Sequence, residues 1–161
     1  MRIGIGYDIH RRKEGRRLVL GGVEFPGEPG LEAHSDGDVV LHAVADAVLG
    51  AAALGDLGEH FPDTDQKWRD ADSGDILAAV VAMTGERRLR VRNLDVNVIA
   101  ERPKIGPKKD QMRANLAAIL GVSRDDVSVK ARTAEGLGPV GRGEAIEAHA
   151  VVLLDESDSK R

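Results

Sequence analysis

The hydrophobic positions change period several times along the chain, and each change marks an element. Over residues 2–9, Ile3, Ile5 and Tyr7 alternate with Gly4, Gly6 and Asp8, the two-residue period of a strand ending in a polar cluster. Residues 18–25 read as a second strand pairing nearby, interrupted by Gly21-Gly22, and residues 26–37 are turn-rich and polar, a loop. Over residues 38–54, Val39, Val40, Leu41, Val44, Val48, Leu49 and Leu54 are separated largely by alanine. This predicts a helix apolar on most faces and therefore buried. Residues 55–73 are aperiodic and rich in Asp, Pro, Gly and Thr. A loop of that length in a small domain is functional or mobile, and this one predicts a flap that orders over a ligand. A second helix is expected over 75–89, a strand over 91–100, and a third helix over 108–120 closed by Gly121. Strands over 127–131 and 145–154 complete the chain, and residues 155–161 read as a charged tail. The order β-β-α-α-β-α-β-β predicts an α+β two-layer sandwich, a mixed sheet with helices on one face, in a single domain over residues 1–154.

Composition narrows the chemistry. The 161 residues are 42% apolar and 31% charged, with only two Phe, one Tyr and one Trp, so the core is aliphatic and gains from burial shared in an oligomer. The net charge of −4 speaks against nucleic acid as a partner. The absence of cysteine excludes thiol nucleophiles, disulfides and Cys-ligated zinc, so a metal would rest on His, Asp and Glu. No apolar run approaches the roughly 18 residues of a membrane span. With no targeting segment before the first strand, the expectation is a cytoplasmic protein.

Several constellations could carry chemistry, each with a plainer alternative. Asp8 and His10 project to one face of a strand and could ligate a divalent metal, or simply face water. His42 lies one turn from Asp38 and from Asp46. It is either a core histidine satisfied by Asp46 or the third member of an Asp-His-His set, the ligand number of a catalytic zinc with an open position. Residues 33–38 precede the helix, so its N-terminus could receive a phosphate, with His34 and Ser35 adding donors. The plain reading is an N-cap. Two strand exits, residues 100–105 and 130–135, offer Lys, Arg, Thr and Glu to phosphate oxygens or Mg²⁺, or are solvated charge. Residues 138–144 form a glycine-rich turn that places Arg142 and Glu144 toward one face of the next strand. Neither a P-loop nor a Gly-x-Ser-x-Gly elbow is present.

Taken together, Gly4 to His10, Ala33 to Asp38, His42-Ala43, residues 50–58, Phe61 to Asp65, Ala71-Asp72-Ser73, Arg102-Pro103-Lys104 and Gly141 to Glu144 resemble the 2-C-methyl-D-erythritol 2,4-cyclodiphosphate synthase family, in order and in spacing. The resemblance implies a homotrimer with active sites between neighbouring subunits. It also implies a reaction that closes 4-diphosphocytidyl-2-C-methyl-D-erythritol 2-phosphate into a cyclic diphosphate and releases CMP. Asp8, His10 and His42 are then the ligands of a divalent metal, usually zinc, and Glu135 reaches a second, usually Mg²⁺ or Mn²⁺. His34 and Thr133 are the catalytic residues. Substrate contacts fall to Asp8, Ile9, His10, His34 and Ser35, to Asp56, Leu57 and Gly58 at the methylerythritol, and to Phe61, Pro62, Asp63, Thr64 and Asp65 of the flap. The CDP moiety falls to Ala100, Glu101, Arg102, Pro103, Lys104, Ile105 and Gly106 with Ala131, Arg132, Thr133, Ala134 and Glu135. Arg142 belongs to a cavity on the trimer axis that holds an isoprenoid diphosphate in the family. The chain departs from the family pattern at Arg132, Ala134 and Pro139. The rival readings are a zinc hydrolase of a phosphoester and a trimeric cytidine-nucleotide-binding module.

Overall fold

A computed structural model describes residues 1–68 and 71–156. The expected strand of residues 2–9 is longer than its alternation: β1 spans Arg2–Lys13 and pairs with β7 as far as Arg11 opposite Ala145. Its pairing with β4 (Gly30–Leu31), inside the expected loop, holds the charged end in the sheet. Residues 18–25 do not form one strand. They fold into a separate hairpin of β2 (Val19–Leu20) and β3 (Val23–Glu24), because Gly21 and Gly22 both take positive φ and turn the chain back.

The expected buried helix is α1, Val39–Ala52, with Asp38 as N-cap and Ala53 as a left-handed C-cap. The expected loop of residues 55–73 contains a short helix, α2 (Leu57–His60), and a 3₁₀ turn over Gln66–Trp68. Residues 69 and 70 of the expected flap, and 157–161 of the expected tail, lie outside the described residues. Helix α3 is Ser73–Glu86 and β5 is Leu89–Ile99. Helix α4 is Lys109–Leu120, stopped by Gly121 in the left-handed conformation, and β6 is Val127–Arg132. The glycine-rich turn closes as α5, Gly138–Gly141, and β7 runs from Ala145 to Glu156, taking in the first two residues of the expected tail.

The main sheet is mixed, in the order β4-β1-β7-β5-β6, with β5 and β6 parallel and the other pairs antiparallel. Helices α1, α3 and α4 cover one face, so the architecture is the expected α+β sandwich. From the sheet the core takes Val91, Leu94, Val96, Val98, Val127, Val129, Ala148, Ala150, Val152 and Leu154. A bulge between Val91 and Asn93 shifts the alternation of β5 by one residue.

On β1 the usual polarity is inverted. Gly4 and Gly6 face α1 and are buried, whereas Ile3 and Ile5 are each 73% exposed and Tyr7 and Ile9 are also exposed. The glycines permit a close approach: a Cβ on Gly4 would stand 1.9 Å from the Ala47 carbonyl oxygen, and one on Gly6 1.9 Å from that of Ala43. Small residues on both sides therefore bring the backbones of β1 and α1 together. The next two positions on that face of β1 are Asp8 and His10, and the residue beside Ala43 on α1 is His42.

Candidate functional site

The close approach of β1 and α1 produces a cluster. One ligand atom from each of Asp8, His10 and His42 lies within 4.8 Å of the others. Asp8 Oδ2 is 2.8 Å from His10 Nε2 and 3.0 Å from His42 Nδ1, and the two ring nitrogens are 3.1 Å apart. A carboxylate and two imidazoles at such spacing are a donor set suited to zinc or a similar divalent ion. Burial would raise the Asp8 carboxyl, but hydrogen bonds from His10 and His42 outweigh it and hold it well below the usual carboxylate range. Burial would lower His42, but the hydrogen bond and charge of Asp8, aided by Asp38 and Asp36, raise it.

Asp46 is not the partner of the His42 ring. It accepts the Leu57 N–H at 2.8 Å and so tethers α2 to α1. The far nitrogen of His42, Nε2, faces two hydroxyls instead, Ser35 Oγ at 3.1 Å and Ser73 Oγ at 3.0 Å. The α1 N-terminus is likewise spoken for. Asp38, fully buried, accepts from the Val40 and Leu41 N–H groups of the helix and from Gly21 and Gly22 of the hairpin. The N-cap reading thus holds at this terminus, and Asp38 fills the place expected for a phosphate.

Two hollows flank the cluster. One, of about 300 Å³, is lined by His10, His34, Ser35, His42, Leu57, Phe61, Asp63 and Trp68. The other, of about 260 Å³, is lined by Tyr7, Asp8, His10, His42, Asp46, Asp56, Leu57 and Gly58. Arg16 donates to the carbonyls of Ala33 and Ser35 and so holds the backbone on both sides of His34. Trp68 packs edge-on to Phe61 with centroids 4.7 Å apart. Of residues 61–65, Phe61 and Asp63 line the first hollow, while Asp65 caps the next turn through the Lys67 N–H. Asp56 spends one oxygen on the Glu59 N–H as the N-cap of α2. The Ile9 side chain lies on the opposite face of β1 from Asp8 and His10, so only its backbone belongs to this side.

A third cavity, of about 380 Å³, lies where the parallel strands β5 and β6 end together. Its lining includes Ala100, Glu101, Pro103, Lys104, Ile105, Gly106, Ala131, Arg132 and Thr133. The Arg102–Pro103 peptide is cis, and the Arg102 carbonyl accepts from Arg12. Beyond it, Glu101 Oε1 accepts from the N–H groups of Ala134 and Gly136, fixing a turn in which Glu135 holds a left-handed φ of 52°. That conformation costs a non-glycine residue roughly 1–2 kcal/mol. Thr133 donates to Glu135 at 2.8 Å. Across the sheet, Ile9, Glu147, Ile99 and Arg132 lie in one row. The cluster on β1 and the exit of β6 are therefore three strand spacings apart, roughly 14 Å. Arg142 is not at either location. It pairs with Glu144 at 2.8 Å beside α5, ahead of β7 and not on it.

The YgbB family model matches residues 1–155. A protein of Salinibacter ruber named 2-C-methyl-D-erythritol 2,4-cyclodiphosphate synthase is 56% identical over 157 residues, 98% of this chain and all of its own length. A solved structure of a synthase of that name in a CDP-bound form superposes with a TM-score of 0.88 at 38% identity, covering 96% of this chain and all of that one. The bifunctional IspDF of Campylobacter jejuni superposes with a TM-score of 0.95 at 41% identity. It covers 99% of this chain, which spans 43% of that longer protein.

Proposed function

The chain belongs to the YgbB family, and on that premise we propose how its residues divide the work of the family's reaction. The activity is that of a metal-dependent cyclodiphosphate synthase, a lyase of isoprenoid-precursor biosynthesis. It converts 4-diphosphocytidyl-2-C-methyl-D-erythritol 2-phosphate to 2-C-methyl-D-erythritol 2,4-cyclodiphosphate and CMP. The observation that carries the assignment of residues is the convergence of Asp8, His10 and His42.

In the reaction an oxygen of the substrate's 2-phosphate forms a bond to the β-phosphorus. The bridging bond from the β-phosphorus toward the α-phosphate breaks, and its electron pair leaves on CMP. The nucleophile belongs to the substrate, so the chain's task is to position and to neutralise charge. The three ligands would hold zinc, and Glu135 would hold Mg²⁺ or Mn²⁺, a lone carboxylate being a common protein share of a magnesium site. Metal bound at these places supplies Lewis-acid polarisation of phosphate oxygens. His34 and Ser35 stand by the phosphate at the rim of the first hollow, and Asp56, Leu57 and Gly58 meet the methylerythritol in the second. The strand-exit cavity takes the CDP moiety, with backbone groups at 100–106 on the base, Lys104 and Arg132 toward phosphate, and the Thr133 hydroxyl on the charge developing at phosphorus. Phe61 to Asp65 close over the substrate when it binds.

The assembly we propose is a homotrimer in which one subunit's cluster works with a neighbour's strand exits. Two features support it. The outer face of the sheet carries Ile3, Ile5, Tyr7 and Ile9 opposite Leu153, Val151, His149 and Glu147, an apolar stripe of a kind that marks an interface. On the same side, Asp95 Oδ1 and Asn97 Oδ1 are buried with no partner among the described residues. Arg142 and Glu144 would then lie near the axis, where an isoprenoid diphosphate would bind. No helix among the described residues is long and apolar enough to cross a membrane. A cytoplasmic site of action suits a nucleotide-activated substrate.

The test is product analysis. Incubation of the protein with the CDP-methylerythritol phosphate, zinc and Mg²⁺ should give equimolar CMP and cyclic diphosphate by ³¹P NMR and mass spectrometry. A linear hydrolysis product overturns the cyclase mechanism. Tight CDP binding that survives loss of Asp8, with no turnover in either form, points to a binding module instead.

A further inference from the structure

We infer that Ser73 and Asp36 are positioning residues that fix the tautomer of His42, and hence the readiness of the metal centre. The inference rests on the reading of Asp8, His10 and His42 as metal ligands. Ser73 is the first residue of α3 and is 1% exposed, and its Oγ lies 3.0 Å from His42 Nε2. Its hydroxyl proton is already committed, because Ser73 Oγ donates to Asp36 Oδ1 while the Ser73 backbone N–H donates to Asp36 Oδ2 at 3.1 Å. A hydroxyl has one proton, so toward His42 the Ser73 oxygen can only accept. His42 Nε2 must therefore carry hydrogen, so Nδ1 is the nitrogen whose lone pair a metal takes, displacing the proton that Nδ1 shares with Asp8. Nδ1 is the nitrogen 3.0 Å from Asp8 and 3.1 Å from His10 Nε2. The chain Asp36–Ser73–His42 thus does for this imidazole what a carboxylate does in other metal sites.

Ser35 does not impose the same order. Its Oγ lies 3.1 Å from His42 Nε2 and accepts the Gly37 N–H at 3.3 Å, so its own proton is free to point either way. Asp36 decides the direction. It is held in place from the other side, with its N–H on the Ala71 carbonyl and its Oδ1 also accepting the Asp38 N–H. The end of the segment over residues 71–73 is in this way wired to the metal ligand. A further consequence is that both carboxylate oxygens of Asp36 are acceptors from Ser73. An amide at this position must turn its N–H₂ toward one of those donors.

Zinc is the probe. Ser73→Ala should weaken zinc binding, read by chelator competition, by about 10- to 100-fold. Asp36→Asn should do the same, and Ser73→Thr, which keeps the hydroxyl, should restore most of the loss. The combined Asp36→Asn and Ser73→Ala protein should be no worse than the poorer single variant, because both remove one chain. Long-range ¹H–¹⁵N spectra of the metal-free protein, recorded at a pH where the His42 ring is neutral, should show Nε2 protonated in the parent and a mixture of tautomers in Ser73→Ala. A merely structural role would move the melting temperature but neither the tautomer nor the zinc affinity of the folded fraction. If Ser73→Ala and Asp36→Asn both bind zinc as the parent does, while His42→Ala binds none, the inference fails and the metal reading stands. Zinc retained at full occupancy in His42→Ala overturns the metal reading itself.

Discussion

The two faces of β1 invert the usual order of burial. The face toward α1 reads Gly4, Gly6, Asp8, His10: small, then polar, and covered. The face away from it reads Ile3, Ile5, Tyr7, Ile9: apolar and open. One strand thus spends its least hydrophobic side on the core and its most hydrophobic side on the surface. The comparison teaches that burial is not what the glycines are for. They let a helix backbone approach until ligands from strand and helix share a few ångströms, while the isoleucines stay on the exposed side of the sheet.

Breaking the inner face at its chemistry should have the largest effect. His42→Ala removes one of three ligands, and if the metal supplies several kcal/mol at the transition state, turnover should fall by about 10³-fold or more. Metal content by mass spectrometry should fall with it, while the circular dichroism spectrum stays that of the parent. Breaking the outer face should separate assembly from metal binding. Ile5→Lys puts a charge in the apolar stripe, and light scattering should report monomer in place of trimer. CMP release should drop by about 100-fold, as expected when a site loses a group that stabilises its transition state, with zinc affinity in the cluster kept. A trimer of full activity from that variant removes the outer face from the assembly.

The spacing between the faces is tested by Gly6→Ala. The added methyl meets the Ala43 carbonyl, so β1 and α1 must move apart. Thermal or denaturant unfolding should show a loss of about 1–3 kcal/mol, the usual cost of overpacking, and zinc affinity should fall in the folded protein because the ligands separate. Equal affinity would mean that the approach of β1 and α1 does not set the cluster. The smallest effect expected is that of pH. Asp8 stays ionised through the neutral range because its carboxyl is held low. His42 holds its proton to higher pH than a free histidine, and metal must displace that proton. Zinc affinity should therefore rise with pH and level off above the raised His42 value. Below that value it should fall by about tenfold per pH unit for one displaced proton. A flat profile between pH 6 and 8 would contradict the raised His42.

Much of the site was legible because its chemistry is local. Asp8 and His10 sit two apart in an alternating segment, and His42 interrupts an otherwise apolar helix. The two strand exits each carry their polar residues contiguously, and the structure brings them to one cavity because β5 and β6 are parallel neighbours. What sequence misplaced involved partners distant in the chain. Asp46, one helical turn from His42, was the natural partner for its ring, yet the ring turns toward Ser35 and Ser73 while Asp46 holds the N-terminus of α2. The helix N-terminus offered for phosphate is capped by Asp38, whose carboxylate also ties down a hairpin some 16 residues earlier. No spacing rule reports that Asp36 and Ser73, 37 residues apart, share two hydrogen bonds.

The sequence by itself determined the alternation of β1, the buried length of α1, the stop at Gly121 and the donor types available for a metal, since each depends on neighbours within a turn or two. It did not determine which side of β1 is inside. Hydrophobicity alone would bury the isoleucines, and only the packed structure reverses that, because Gly4 and Gly6 present no side chain to the backbone of α1 and the isoleucines would. Alternation has two faces of equal standing in one dimension. The choice between them is made in three, by which face a helix can approach closely enough to bring His42 against Asp8 and His10.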